Sequence, residues 1–200
     1  MKKMIALAVL IFTTAAWAAL VPAAEGNKMK DTFDVIHSRK SVRNFTGEAV
    51  SKADLEKILK AGMAAPTAVN MQPWYFVVVT ERKQLDALGA GLPYAKMLGK
   101  AGAAIIVCAE PKSAFNRSEQ FAVIDASLAS ENILIAVEAI GLGAVWTAAY
   151  PEKDRMEHVR KVLGIPQEII PLNVIPVGHP TGEDLPKNKY KKEKIHWEKW

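Results

Sequence analysis

A chain of 200 residues, half of them hydrophobic and a quarter charged, has an ordinary globular composition with room for one full core. The formal charge of +5 falls to +3 without Lys2 and Lys3, and no basic stripe interleaved with aromatics appears, which excludes nucleic acid as the expected partner. Cys108 is the single cysteine, so an intrachain disulfide is excluded as well.

The chain opens on Met1-Lys2-Lys3, and residues 4–20 are apolar apart from Thr13 and Thr14. Ala16-Trp17-Ala18 and Val21-Pro22-Ala23 both fit the small-x-small cleavage rule. This predicts a signal peptide over 1–24, cleaved to leave one domain over 25–200. The protein is then exported, periplasmic or secreted, without stable membrane association after cleavage. A retained anchor helix is the competing reading, since the apolar run is borderline in length for crossing a bilayer.

Asp31 or Thr32 can cap a short helix through Phe33, Val35 and Ile36. The stretch Arg39-Lys40-Ser41-Val42-Arg43-Asn44-Phe45 follows. If extended, it places Arg39, Ser41 and Arg43 on one face. Two guanidinium forks around a hydroxyl suit a phosphomonoester; a solvated basic turn is the plain alternative. Ser51 and Asp54 form a capping-box pattern, and Leu55, Ile58, Leu59 and Met63 repeat at helical spacing behind it. Residues 64–73 read as a loop stiffened by Pro66 and Pro73, leading into a strand over 74–79 buried on both faces. A modest helix over 81–88 precedes the breakers Gly89, Gly91 and Pro93 and a turn over 94–98. A second buried strand covers 103–109 with Cys108 in the core, and residues 112–118 read as a mobile surface loop.

Residues 121–140 predict the longest helix, apolar on nearly every face. Such a helix must be covered all round, and in so short a chain a second subunit is the simplest cover, so a homodimer is expected. A third strand is expected over 144–149. Pro151 suits the start and Gly164 the end of a helix over 152–163. A fourth strand is expected over 171–178, with Pro176 favouring an edge or a bulge. The tail from residue 179 has no apolar period, carries six lysines and two tryptophans, and must lie on something else. The irregular interleaving predicts an α+β fold: a central mixed β-sheet flanked by helices, with the long buried helix at a dimer interface.

Gly141-x-Gly143 is not a dinucleotide fingerprint, because it lies after a helix and before a strand. The four histidines are scattered without metal-ligand spacing, so no metal site is expected, and His158 on the charged helix is expected to be solvated. Asp125 and Glu131 are six residues apart, which favours capping or interface hydrogen bonds over a catalytic pair. With no nucleophile, base or metal in evidence, a cofactor-borne chemistry remains. Asn70 and Gln72 could read the edge of a heterocycle or simply satisfy loop backbone.

The basic stretch 39–45, Ala65-Pro66-Thr67-Ala68-Val69-Asn70-Met71-Gln72-Pro73-Trp74, Asp125-Ala126-Ser127 through Gly141-Leu142-Gly143-Ala144-Val145-Trp146, and Pro186-Lys187-Asn188-Lys189 together resemble the FMN-dependent nitroreductase family. The likeness runs over about residues 33–197, with the motifs in the family's order and spacing. It implies a homodimer with two FMN sites at the interface, each built from both chains. Arg39, Ser41 and Arg43 would hold the phosphate and ribityl chain, with Lys40 contributing backbone. Lys187 and Lys189 would return to the phosphate; the family commonly has arginine where Lys189 stands. Pro66, Thr67 and Asn70 would approach the flavin from the partner subunit. Thr147 and Ala148 would line the isoalloxazine through backbone groups. No protein side chain is expected to be catalytic. The resemblance implies a ping-pong oxidoreductase in which NADH, NADPH or another donor gives electrons that a nitroaromatic or quinone-like small molecule takes. An exported flavin-binding or electron-relay protein without turnover on such acceptors is the alternative. The segment covering the substrate should lie in 89–118, where Tyr94, Phe115 and Arg117 stand out.

Overall fold

Nearly uninterrupted apolar runs build the sheet, and helices cover its two faces. The structure, a computed structural model, describes residues 31–200; the expected signal peptide lies outside these residues. In chain order the elements are α1 (Thr32–Ser38), α2 (Lys52–Met63), β1 (Trp74–Val79), α3 (Arg82–Ala90), β2 (Ala103–Ala109), α4 (Glu119–Ala139), β3 (Gly143–Ala144), β4 (Thr147–Ala148), α5 (Lys153–Leu163) and β5 (Ile170–Gly178). The strand order is β1-β2-β5-β3, with β4 also paired to β5, and these ladders are antiparallel. A parallel bridge between Ser41 and Ala144 gives the sheet its mixed character.

Side chains alternate across β2. Ile105 and Val107 join Leu55 and Ile58 of α2 and Ile133 and Leu134 of α4 in one core layer. Ile106 and Cys108 face the other way, into a layer with Leu85 and Leu88 of α3 and Val159 of α5. Burial pushes the Cys108 thiol up to about 12, so it stays a protonated core residue. The α2 helix starts as its sequence demands: Ser51 accepts the Asp54 N–H at 3.0 Å. Ser118 caps α4 in the same way, accepting the Phe121 N–H at 3.3 Å.

Several expectations need correction. β1 is the edge of the sheet, and Tyr75 and Val78 are exposed rather than buried on both faces. An uninterrupted apolar run marks a strand but not its place in the order. β5, for which Pro176 favoured an edge or a bulge, is not at an edge: it is central, flanked by β2 on one side and by β3 and β4 on the other. It tolerates its prolines because the β2 ladder shifts register between Val107 and Cys108 near Pro171. Pro176 also lies next to the gap between the Ala144–Val177 and Thr147–Val174 pairings, where the expected single strand over 144–149 splits into β3 and β4. Residues 111–118 are not a plain loop but two 3₁₀ turns, pinned by buried Ala114 and the edge-to-face pair Phe115–Phe121. His158 is not solvated: its Nε2 lies 3.0 Å from the Ala87 carbonyl and 3.2 Å from that of Leu88, tying α5 to the end of α3.

Gly143 decides where the basic stretch docks. A Cβ there would meet Val42 Cγ1 at 2.6 Å, so only glycine lets residues 41–42 lie against β3, where the Val42 N–H donates to Ala144 O at 2.9 Å. Gly143→Ala is expected to cost about 1–3 kcal/mol through overpacking. A lowered midpoint in urea denaturation, with the slope unchanged, checks it.

Candidate functional site

The basic stretch leaves α1, runs past β3 and is held from both sides. Two carboxylates of α4, seven residues apart and therefore on one face, reach it from below. Arg39 Nε lies 3.3 Å from Glu131 Oε1, and Lys40 Nζ lies 3.1 Å from Glu138 Oε2. Ser38 Oγ donates to Glu138 Oε1 at 2.8 Å. From the other side Asp184 folds the tail back: its Oδ2 accepts the N–H of Arg43 at 2.9 Å and that of Asn44 at 3.1 Å. Phe45 bridges to Pro180 in the same region.

This clamp encloses a cavity of about 570 Å³ whose lining includes Arg39, Lys40, Ser41, Arg43, Lys187 and Lys189. Six residues expected at the phosphate thus converge in one place, from two segments whose members lie 144 (187 − 43) to 150 (189 − 39) positions apart. The Lys40 ammonium is paired with Glu138. The Arg43 guanidinium contacts only the Ser41 carbonyl at 3.4 Å among the described residues, so it keeps donors to spare.

Arg43 also lines a second cavity of about 420 Å³ with Tyr94, Met97, Val145, Trp146, Thr147 and Ala148. The Thr147 hydroxyl donates to the Val174 carbonyl inside the sheet, so Thr147 can offer this cavity only backbone. Lys96 and Arg155 stand at its rim, Arg155 over the Tyr94 ring at 5.6 Å. One cavity is cationic and hydroxyl-bearing, the next aromatic with flanking cations, and Arg43 joins them. The pair suits a ligand with a phosphate at one end and a planar heterocycle at the other. The sequence reading missed Glu138, Asp184, Lys96 and Arg155. Of these, only Glu138 carried a readable signal, the helix face it shares with Glu131.

Pro66, Thr67 and Asn70 line neither cavity. They sit on a loop whose middle hydrogen-bonds to α4: Asp125 Oδ1 accepts the Ala68 N–H at 3.2 Å. The Gln72 amide is turned inward, donating to Asn70 Oδ1 at 3.1 Å, and Thr67 Oγ1 accepts the Gln72 N–H at 3.1 Å. One chain therefore does not gather all the expected site residues. Burial pushes the Asp125 carboxyl above its ordinary value, and the Ala68 N–H pulls it partly back. A raised folded-state value means the wild type loses stability as pH climbs from the unfolded value through the folded one, whereas an amide does not titrate. Asp125→Asn is accordingly expected to gain about 1 kcal/mol at pH 7, the low end of the cost of an unsatisfied buried group. The gain should vanish below the ordinary carboxylate range, read by urea denaturation at pH 4 and pH 7.

Among the described residues no cluster of three or more His, Cys, Asp or Glu could hold a metal.

The fold and its paired cavities have the chemistry that would suit a phosphorylated aromatic ligand. Comparison with known proteins gives the class a name. The sequence profile of the Nitroreductase family matches residues 36–92 and 89–179, and the chain belongs to that family. A protein of Archaeoglobus fulgidus is 39% identical over 175 residues, covering 86% of this chain and 100% of its own length. A crystal structure from Parabacteroides distasonis superposes with a TM-score of 0.80 at 47% identity, covering 86% of this chain and 99% of that one. Both carry the name "Putative NADH dehydrogenase/NAD(P)H nitroreductase". A Desulfovibrio desulfuricans protein solved in complex with FMN superposes with a TM-score of 0.72 at 27% identity, covering 86% of this chain and 98% of its own.

Proposed function

We propose that this chain is an FMN-dependent oxidoreductase that works as a homodimer and alternates between a reductant and a nitroaromatic or quinone-like acceptor. The observation that carries the reading is the pair of cavities sharing Arg43, cationic on one side and aromatic on the other. FMN, when bound, would supply the two-electron carrier.

The chain's own residues then do four things. Arg39, Arg43, Lys187 and Lys189 neutralise the phosphate, and Ser41 adds a neutral donor. Thr147 and Ala148 face the ring with backbone. Lys96 and Arg155, with Arg43, place positive charge at the ring cavity, where it favours negative charge developing on a bound ring. Tyr94 and Trp146 give that cavity aromatic walls.

The second copy is supported by surface chemistry. Phe121, Ile124 and Leu128 make an exposed apolar stripe on α4, and Phe33 and Ile36 are exposed on the adjoining α1. An apolar helix face left in water calls for a partner. A second copy on this stripe would also bring Pro66, Thr67 and Asn70 of one chain toward the cavities of the other. The tail beyond residue 189 exposes Tyr190, Trp197 and Trp200, which is further surface for a second copy to cover.

Export is part of the proposal and rests on the N-terminal pattern. NADH and NADPH are cytoplasmic reductants, so an exported enzyme would draw on another donor, such as a membrane quinol. The experiment is a steady-state assay of the flavin-loaded protein with NADH, NADPH and a quinol as donors against a nitroaromatic and a quinone. Turnover with any donor–acceptor pair is the expected result. A yellow protein without turnover on any pair would favour the electron-relay alternative.

A further inference from the structure

Residues 66–72 hold an unusual backbone for a loop without glycine. Val69, Asn70 and Gln72 lie in the left-handed region at φ 44°, 60° and 53°. Such conformations persist only where the surroundings over-determine them. The ends of the loop are fixed by packing, as Ala65 and Trp74 cluster against Ala129 of α4. The ties inside it are local: Asn70 N–H to Thr67 O at 3.2 Å, and the Gln72 contacts to Thr67 and Asn70. Among the described residues, the Trp74 N–H to Gln72 O bond at 2.9 Å holds the loop's end at β1, and the bond from Ala68 N–H to Asp125 Oδ1 is the one that joins residues 66–72 to a helix.

Asp125 is a poor choice if stability were the purpose. It is 2% exposed, and its Oδ2 is buried without a hydrogen-bond partner among the described residues. Burying an unpaired charged oxygen is costly, and a small apolar residue would fill a helix face next to Ala126 and Ala129 at less expense. What the carboxylate provides is a rigid acceptor on α4 for one amide of the loop.

We infer that Asp125 is a positioning residue: through the Ala68 amide it fixes the loop that presents Thr67 and Asn70 to the cofactor of the partner subunit. The inference rests on the FMN and dimer reading above. It assigns to α4 a part in both sites, since Glu131 and Glu138 hold the basic stretch of the chain's own site while Asp125 holds the loop offered to the other.

The test compares wild type, Asp125→Ala, Asp125→Asn and Ala68→Pro by hydrogen exchange of the peptide spanning 64–73 in the FMN-free protein, by FMN titration, and by the visible spectrum of bound flavin. Asp125→Ala should speed exchange in the peptide, raise the FMN Kd about tenfold and shift the flavin absorption maximum. Asp125→Asn, which keeps an oxygen acceptor, should restore exchange and affinity to within about threefold, on the same scale. Ala68→Pro removes the donor at the first position of its turn, where proline fits, and should repeat the alanine phenotype with Asp125 intact, even if Asp125→Ala does not fold. Wild-type exchange and affinity in both Asp125→Ala and Ala68→Pro, or an asparagine variant no better than alanine, overturns the inference alone. A wild type that binds no FMN overturns the cofactor reading and the inference with it.

Discussion

Arg39→Ala and Arg43→Ala are each expected to weaken FMN binding by about 1.5–3 kcal/mol, or roughly 10- to 150-fold in Kd, while leaving riboflavin affinity nearly unchanged. The two arginines reach the phosphate-side cavity from one face of an extended stretch. Each offers two parallel donors to a phosphate, which lysine cannot match, so Arg39→Lys should fall between wild type and alanine. Their costs should differ in kind. Arg39 is also paired with Glu131, so its loss frees a carboxylate beside the phosphate and adds repulsion. The Arg43 guanidinium has no carboxylate partner among the described residues, and Arg43 also lines the ring cavity, so its loss should lower turnover as well as affinity. Fluorescence-quenching titrations with FMN and riboflavin, in parallel, separate the phosphate contribution from general misfolding.

Glu138→Ala is expected to destabilise the fold by about 3 kcal/mol, the low end for breaking a buried ion pair because Lys40 retains some access to water. The carboxylate is almost wholly buried and receives both the Lys40 ammonium and the Ser38 hydroxyl. Its removal strands a cation against α4 and unties the end of α1 from the core. Glu138→Gln keeps an acceptor for Ser38 and should lose about 1 kcal/mol less, the worth of one retained hydrogen bond. For a chain of this size the alanine change corresponds to a fall of about 6–12 °C in Tm. Because the basic stretch hangs on this pair, FMN affinity should fall with stability, and a thermal scan with and without FMN reads both.

What the sequence made legible was local. The capping box at Ser51, the apolar stripe of α2, the strands 74–79 and 103–109 and the long apolar helix all follow from spacing within a dozen residues, and each is found. The position of a strand in the sheet depends instead on pairing between distant segments. That is why the exposure of Tyr75 and Val78 on edge strand β1 and the central place of β5 were not read from the sequence. The same divide runs through the site. Arg39, Ser41 and Arg43 announce themselves in five residues. Asp184, which holds Arg43 and Asn44 by their amides from 141 and 140 positions away, leaves no trace in the spacing. Gly143 was visible as a glycine, yet its purpose, room for Val42, needed the fold. The loop at Pro66, Thr67 and Asn70 was legible as a stiffened polar loop, and its part in the site only through family resemblance, since it lines neither cavity of its own chain.

The most direct test of the central claim is a titration of the purified flavin-free protein with FMN and with riboflavin, followed by quenching of flavin fluorescence at low salt. If the cavity lined by Arg39, Ser41, Arg43, Lys187 and Lys189 holds the phosphate, FMN should bind about 100-fold more tightly than riboflavin, and added salt should narrow the gap. Equal affinity for the two flavins, or binding of neither, would contradict it.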